Sequence, residues 1–382
     1  MRPDSGIPFY EFFAGGGLAR LGLAPHFACV FANDFDAAKA RAYRTAFGDD
    51  HLREGDIGAL GASDLPGQAG LAWASFPCQD LSLAGGRRGM NGTRSGAFWV
   101  FCNLVRSLAE EDRAPPVLAL ENVTGLLSSR AGADFTALIV ALTDLGYRCG
   151  ALEVDASHFS PQSRPRLFII AARNARPDLA APAAESAFHS PGIRAAYGRL
   201  PKAARESWVW WRLPPPPLRN TRLEDVLEDE APDAAWRTPE QTEALLGQMS
   251  PLQRARIEAI QKSGKSAVGA VFRRIRIEQG QRVQRAEARF DGLAGCLRTP
   301  AGGSSRQMLV FVTPTHVRSR LLAPREAARL MGAPDDYPLP TTQTAALHLL
   351  GDAVSVSAVR WLATHLLAPL AGAPLAARRT GS

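Results

Sequence analysis

Cysteine is scarce: five in 382 residues, an odd number and widely spread. That excludes a disulfide framework and points to a reducing cytoplasm. The seven histidines show no metal-like spacing with cysteine or carboxylates, so no metal is expected. No apolar run approaches the ~20 residues of a membrane span. The opening residues, MRPDSGIPFYEFF, lack the apolar stretch and small-residue cleavage site of a signal peptide. No internal repeat is found, and no GxGxxG dinucleotide fingerprint follows a strand. What is present is the composition of a globular protein, 46% hydrophobic and 21% charged. Its formal net charge of +7 suits a polyanionic partner without specifying one.

Short β-type runs alternate with helical patterns through the first part of the chain. IPFYEFF, FACVFA, LAWAS, PPVLALENV, YRCGALEVD and RLFIIAA read as strands. AGGGLARLGL, FDAAKARAYRTAF, SGAFWVFCNLVRSLAE and ADFTALIVALTDLG read as helices. This alternation predicts an α/β fold, doubly wound around a mainly parallel sheet. From about residue 174 to 317 the texture is proline-broken, tryptophan-spotted and arginine-rich. Regular patterning returns with PREAARLMG and a last helix, AVSVSAVRWLATHLL. A smaller, irregular domain is therefore expected inside the α/β domain, at 181–318. It follows a first domain at 1–180 and precedes a hinge segment at 319–345 and a returning helix at 346–382.

Three turns at strand ends carry candidate binding residues. Glycines after the first strand, in FFAGGGLARLGL, let a ligand approach the backbone at a helix N-terminus, or simply make a tight turn. Asp34, in ANDFD, can accept from ribose hydroxyls, or cap the helix that follows. Asp56, in GDIGAL, is a third acidic turn. Together they suggest a cofactor containing a nucleoside. Cys78 follows a strand and Pro77, close in sequence to Arg87 and Arg88; nearby cations lower a thiol's pKa and make it a nucleophile. The other cysteines, Cys29, Cys102, Cys149 and Cys296, read as small core residues. Glu121 and Asn122 end another strand. Gln162, Arg164 and Arg166 alternate before the next, so their side chains are expected on one face, to hold a carboxylate or phosphate.

The order FxGxG, ND, GDI, PCQ, ENV, QxRxR, then RLLAPREAARLMGAP and GDAVSV, resembles the DNA (cytosine-5) methyltransferase family over about 1–173 and 318–370. The resemblance implies a Rossmann-like methyltransferase fold with an inserted target-recognition domain. It also implies methyl transfer from S-adenosyl-L-methionine, leaving S-adenosyl-L-homocysteine, to carbon 5 of a flipped cytosine in double-stranded DNA. It makes Cys78 the thiolate that adds to carbon 6, Glu121 the group at N3, and Arg166 the arginine near O2 and Glu121. Arg164 and Gln162 would sit toward phosphates, and Gln79 and Ser82 would line the loop around the extruded base. In that loop Arg87 and Arg94 would meet phosphates.

For the cofactor the resemblance implies Phe13, Ala14, Gly15, Gly17, Asp34, Asp56, Ile57, Pro77, Asp352 and Val354. Asp352 departs from the family's asparagine; it either favours the donor's positive sulfonium or caps the last helix. The stretch AGCLRTPAGGSSRQ supplies Arg298, Ser304, Ser305 and Arg306 as candidate DNA contacts, or simply makes a structural glycine turn, and the basic segment Arg273 to Arg289 with the loop Arg298 to Gln307 is expected to govern DNA affinity and sequence choice. The reading carries a monomer, no membrane, and a cognate restriction endonuclease as an unstable partner. An RNA-directed enzyme of the same chemistry and an inactive DNA-binding relative are the alternatives. The first is disfavoured by the absence of a CFT pattern, the second by the intact Cys78, Glu121 and Arg166.

Overall fold

The structure, a computed structural model, describes residues 6–76, 96–174, 176–228, 236–300 and 306–372. These form two compact units, one of 1–155, 165–216 and 354–382, the other of 156–164 and 217–353.

In the first unit the chain runs β1 (Ile7–Phe12), α1 (Leu18–Leu23), β2 (Phe27–Asp34), α2 (Ala37–Phe47), β3 (Leu52–Glu54), β4 (Leu71–Ala74), α3 (Ala97–Glu110), β5 (Val117–Val123), α4 (Ala133–Asp144), β6 (Arg148–Asp155) and β7 (Pro165–Ala172). Its periphery adds β8 (Ala180–Ala181), α5 (Pro191–Arg199), α6 (Lys202–Glu206) and β9 (Trp210–Trp211). The seven strands form one sheet in the order β3-β2-β1-β4-β5-β7-β6. Pairing is parallel from β3 to β5, and β7 runs antiparallel to both β5 and β6. This is the expected doubly wound, mainly parallel sheet. The short edge strand β3 carries only one buried residue, Leu52, and so gave no hydrophobic signal in the sequence.

Central strands bury both faces, which is why Val117 to Leu120 reads as an unbroken apolar run and Phe9 to Phe12 as one broken only by Glu11. On one side α3 presents Phe98, Phe101, Cys102, Val105 and Leu108 to the sheet, where they join one core with Phe12, Leu118 and Ile169. Asp36 caps α2 by accepting from the Ala38 and Lys39 amides, and Gly48, at φ 81°, ends it.

The second unit holds α7 (Pro239–Gly247), α8 (Pro251–Lys262), β10 (Ala267–Glu278), β11 (Gln281–Arg289), β12 (Met308–Val312), β13 (Val317–Leu321), α9 (Pro324–Leu330) and α10 (Gln343–Asp352). Its four strands form an antiparallel sheet, β11-β10-β12-β13, with Leu245 of α7, Ile257 of α8 and Met249 of the turn between them packed on Val271, Ala288 and Val310. The region expected to be irregular thus has a regular sheet. Arg273 to Arg289 reads as a charge run because the residues nearest the hairpin turn bury little. A fully buried ion pair braces the unit. Arg320 donates two bonds to Glu326, at 2.8 and 2.6 Å, and the same carboxylate accepts from the Ala323 and Glu228 amides.

Helix α11 (Val356–Leu362) belongs to the first unit. It packs on α1 at Gly22, where a Cβ would come within 2.6 Å of Val359. The stretch Gln343–Leu370 has the length and mean hydropathy, 1.2, of a membrane-crossing helix, an apolar run longer than the sequence suggested. However, 72% of that window is buried inside the protein.

Candidate active site

The glycine turn after β1 sits at the strand's carboxyl end, the side on which open α/β sheets bind ligands. Phe13, Gly15 and Gly17 all have positive φ, 58°, 57° and 76°. The turn is fastened by the Ala14 amide donating to Asn33 O at 3.0 Å and the Gly17 amide to Ala14 O at 2.8 Å. A Cβ on Gly17 would come within 2.3 Å of the Phe47 ring, whereas one on Gly15 would meet nothing within 4 Å. Gly15 therefore faces open space beside its partner, Asp34.

Asp34 ends β2 almost fully buried. One carboxylate oxygen accepts from the Gly15 amide at 2.7 Å and the other from the Asp36 amide at 2.8 Å. Burial raises its pKa, while those amides act in the opposite direction. The helix-cap reading for Asp34 fails, since Asp36 does the capping. Between them stands Phe35, 71% exposed, an apolar ring at the rim that the sequence reading passed over. An aromatic between two aspartates at a strand end is the signal that could have found it. Asp56 accepts from the Gly58 amide at 2.8 Å, and Ile57 beside it is buried in the core. Asn33 ties this neighbourhood together, donating to the carbonyls of Arg53 and Gly55.

Under the glycine turn, Glu11 of β1 is wholly buried. One oxygen accepts from the Arg20 amide at 3.3 Å, and the other has no hydrogen-bond partner. Burial pushes its pKa up to about 8. The Arg20 side chain bonds to Tyr43 at 3.0 Å and contacts His51. The sequence reading missed this buried carboxyl because Glu11 looked like one polar residue inside a strand.

Cys78, Pro77, Gln79, Ser82, Arg87 and Arg94 lie outside the described residues, as do Ser304 and Ser305. The chain leading to Cys78 is described as far as Phe76, and there Asn122 matters. Its amide nitrogen donates to Phe76 O at 3.0 Å, and its oxygen accepts from the Val123 amide at 2.9 Å. Beside it, Glu121 and Arg166 form an ion pair, Nε to Oε1 at 3.1 Å, with both side chains largely buried. The register explains the pair: Glu121 is opposite Phe168 and Arg166 opposite Val123, so the two are diagonal neighbours on one sheet face.

Gln162 and Arg164 differ from expectation. They precede β7 rather than sharing a strand face with Arg166, and both are buried. Gln162 donates to Leu330 O at 3.1 Å and accepts from the Leu297 amide at 3.1 Å. Arg164 donates to Leu297 O at 2.8 Å, Gly351 O at 2.9 Å and Ala353 O at 2.6 Å. Both side chains are held by groups of the protein itself. They donate mainly to main-chain carbonyls, and Arg164 serves as a cationic C-cap for α10.

Asp352 is the final residue of α10, not the cap of the next helix; Ser355 caps α11, accepting from the Ala358 amide. Val354 is buried. Arg298 is exposed, and Arg306 donates to Thr344 at 2.8 Å. Among the described residues no cluster of histidine, cysteine and carboxylates could hold a metal.

The family model described as C-5 cytosine-specific DNA methylase matches residues 7–368. The type II methyltransferase M.HhaI of Haemophilus parahaemolyticus is 26% identical over 365 residues, covering 95% of this chain and 94% of its own. M.MspI, a type II methyltransferase of Moraxella sp, is 25% identical over 367 residues, covering 95% and 71%. In fold, the chain is similar to the S. pombe Dnmt2 methyltransferase, with a TM-score of 0.61 at 18% identity, covering 95% and 99%. The family match spans both the strand-end carboxylates and the paired Glu121 and Arg166. The chain therefore belongs to the C-5 cytosine-specific DNA methylase family, whose members draw their methyl group from S-adenosylmethionine, and it is a DNA (cytosine-5)-methyltransferase.

Proposed function

We propose that Cys78, Glu121 and Arg166 carry the methyl transfer through a covalent bond to the target cytosine. The observation that bears most weight is the Glu121–Arg166 pair next to Asn122, which grips the carbonyl two residues before Cys78. Carbon 5 of cytosine is a poor nucleophile. A Cys78 thiolate forming a bond to carbon 6 pushes the ring electrons toward carbon 5, provided that N3 gains a proton. Glu121 shares that proton with N3, and Arg166 holds the Glu121 carboxyl in place. Carbon 5 then takes the methyl group, its own proton leaves to a base, and the thiolate departs as the ring double bond reforms. The base is extruded from the duplex to reach these groups, with Gln79, Ser82, Arg87 and Arg94 around it.

S-adenosylmethionine supplies a methyl group on a positive sulfonium. The residues present fit it: Gly15 leaves room where a Cβ would protrude, Asp34 and Asp56 offer oxygens to hydroxyls and amines, and Phe35 exposes a ring on which a purine can stack. Phe13, Ala14, Gly17, Ile57, Pro77 and Val354 would form the walls. The chain would act on double-stranded DNA as a cytoplasmic monomer, with or without a cognate restriction endonuclease.

Duplex DNA carrying 5-fluorocytosine at the target tests the covalent scheme, because fluorine at carbon 5 cannot leave as a proton. A complex stable to denaturation is expected with the natural chain and none with Cys78→Ser. Methyl transfer to ordinary DNA without any trapping would refute the covalent route.

A further inference from the structure

The β10–β11 hairpin has two chemically different faces. The nine-pair ladder runs from Ala270 opposite Arg289 to Glu278 opposite Gln281, and turns through Gln279 and Gly280, both at positive φ, 50° and 78°. This two-residue turn keeps the strands' natural twist. Side chains alternate between the faces.

One face carries Arg274, Arg276 and Glu278 of β10 with Arg285 and Glu287 of β11. Its charges satisfy one another: Arg276 pairs with Glu287 at 2.7 Å, Arg274 with Glu287 at 4.0 Å, and Arg285 with Glu278. The opposite face begins at the core, where Val271, Ala286 and Ala288 are buried under α7 and α8. It then continues outward as Ile275 opposite Gln284 and Ile277 opposite Arg282. Ile275 is 54% and Ile277 78% exposed. No described carboxylate forms an ion pair with Arg282.

Two exposed isoleucines beside an amide and a guanidinium, on a ribbon with six arginines and two glutamates, are costly to leave in water unless something covers them. A second copy of the same ribbon would meet like charge. A polyanion whose interior offers methyl groups and hydrogen-bonding edges matches all of these groups at once. The major groove of a duplex is about 12 Å wide and admits a two-stranded ribbon. In it a guanidinium pairs with guanine O6 and N7, an amide with adenine N6 and N7, and an aliphatic side chain covers the thymine methyl.

We infer that the Ile275, Ile277, Gln284 and Arg282 face of this hairpin reads the target sequence in the major groove. Gln284 and the isoleucines select an A·T pair and Arg282 a guanine. This rests on the reading of duplex DNA as the substrate, and it assigns recognition to one face of the basic segment rather than to its charge as a whole. The ion-paired face contributes only field, since its arginines are already engaged. The two cross-strand pairs are about 7 Å apart along the ribbon, so the bases they read lie about two base-pair steps from one another.

The test is selection from a randomised duplex library by the full chain in the presence of S-adenosylhomocysteine. The natural chain should enrich a motif containing an A·T pair and a G·C pair. Gln284→Ala and the double change Ile275→Ser with Ile277→Ser should lose preference at the A·T position, and Arg282→Ala at the guanine. Replacing thymine by uracil in the enriched motif removes only the methyl group. It should weaken binding by the natural chain about fourfold and leave the double serine variant unaffected. Leu252→Ser, which removes an equally exposed apolar side chain from α8 of the same unit, should select the natural motif. Melting temperatures identify any variant that has lost its fold.

Hairpin variants that select the natural motif, or a natural motif with no A·T pair, overturn the inference. Methyl incorporation into DNA is measured in parallel. A chain that methylates but whose motif ignores the hairpin fails only here. A chain whose motif follows the hairpin but which transfers no methyl group fails only in the proposed chemistry.

Discussion

Asn122 joins the strand that carries Glu121 to the segment that leads to Cys78, through one hydrogen bond to Phe76 O. On the proposed mechanism a Cys78 thiolate displaced by about an ångström loses up to ~100-fold in rate, which would make Asn122 a positioning residue. Asn122→Ala should lower kcat about ten- to a hundredfold, with KM for S-adenosylmethionine nearly unchanged, measured by steady-state methyl incorporation. Equal losses in kcat and cofactor affinity would mean a general collapse of the sheet edge instead. Glu11 makes a second prediction. Its folded-state pKa of about 8 lies above the ordinary carboxyl value, so the native state holds this proton more tightly than the unfolded chain. The stabilisation is therefore complete at low pH and is lost as pH rises toward and through 8. His51 and His189 are shifted down and act only below about pH 6.5. Between pH 7 and 8.5 the natural chain should lose a few degrees of melting temperature, and Glu11→Gln should remove most of that loss.

At the scale of elements, α10 ends on an unusual arrangement. Its last carbonyls are gathered by Arg164, and Gly351 admits the backbone of Arg298 and Thr299 so closely that a Cβ would lie 2.5 Å from the Thr299 nitrogen. A lysine keeps the charge of Arg164 but cannot reach three carbonyls in one plane. Arg164→Lys should therefore cost about 2–4 kcal/mol, by denaturant unfolding, through the carbonyls left unpaired. A cost below about 0.5 kcal/mol would return Arg164 to a surface role. Asp352, at the end of the same helix, sits where a negative charge is unfavourable. Asp352→Asn should raise the melting temperature slightly, by calorimetry. The cap reading of this aspartate came from its place before a helical pattern. The turn at Ala353–Ser355 hands that role to Ser355.

For the whole molecule, the division into two compact units separates the strand-end carboxylates and the Glu121–Arg166 pair of the first from the antiparallel sheet of the second. We expect exchange of residues 217–321 for the corresponding segment of a relative to change the methylated sequence and leave S-adenosylhomocysteine affinity within about twofold. Sequencing of methylated DNA and titration calorimetry are the measurements. An unchanged target sequence would place recognition in the first unit.

Residue order alone determined the doubly wound sheet, because central strands buried on both faces and amphipathic helices each write their period into local sequence. It also determined which carboxylates, arginines and cysteine to consider, since the spacing of ENV and QxRxR survives without coordinates. The tertiary structure decided what those residues do. Gln162, Arg164 and Arg166 look alike as an alternating polar series, yet two are buried in main-chain cages and one meets Glu121 across a strand pair. Burial and partnership arise from segments 130 to 190 residues away, such as Leu297, Leu330 and Gly351, and no local pattern encodes them. The hairpin was equally illegible. Its apolar and ion-paired faces are separated by a period of two, but exposed strands bury too little to mark that alternation as structure. Only the strand register divided one basic run into a paired face and an open one.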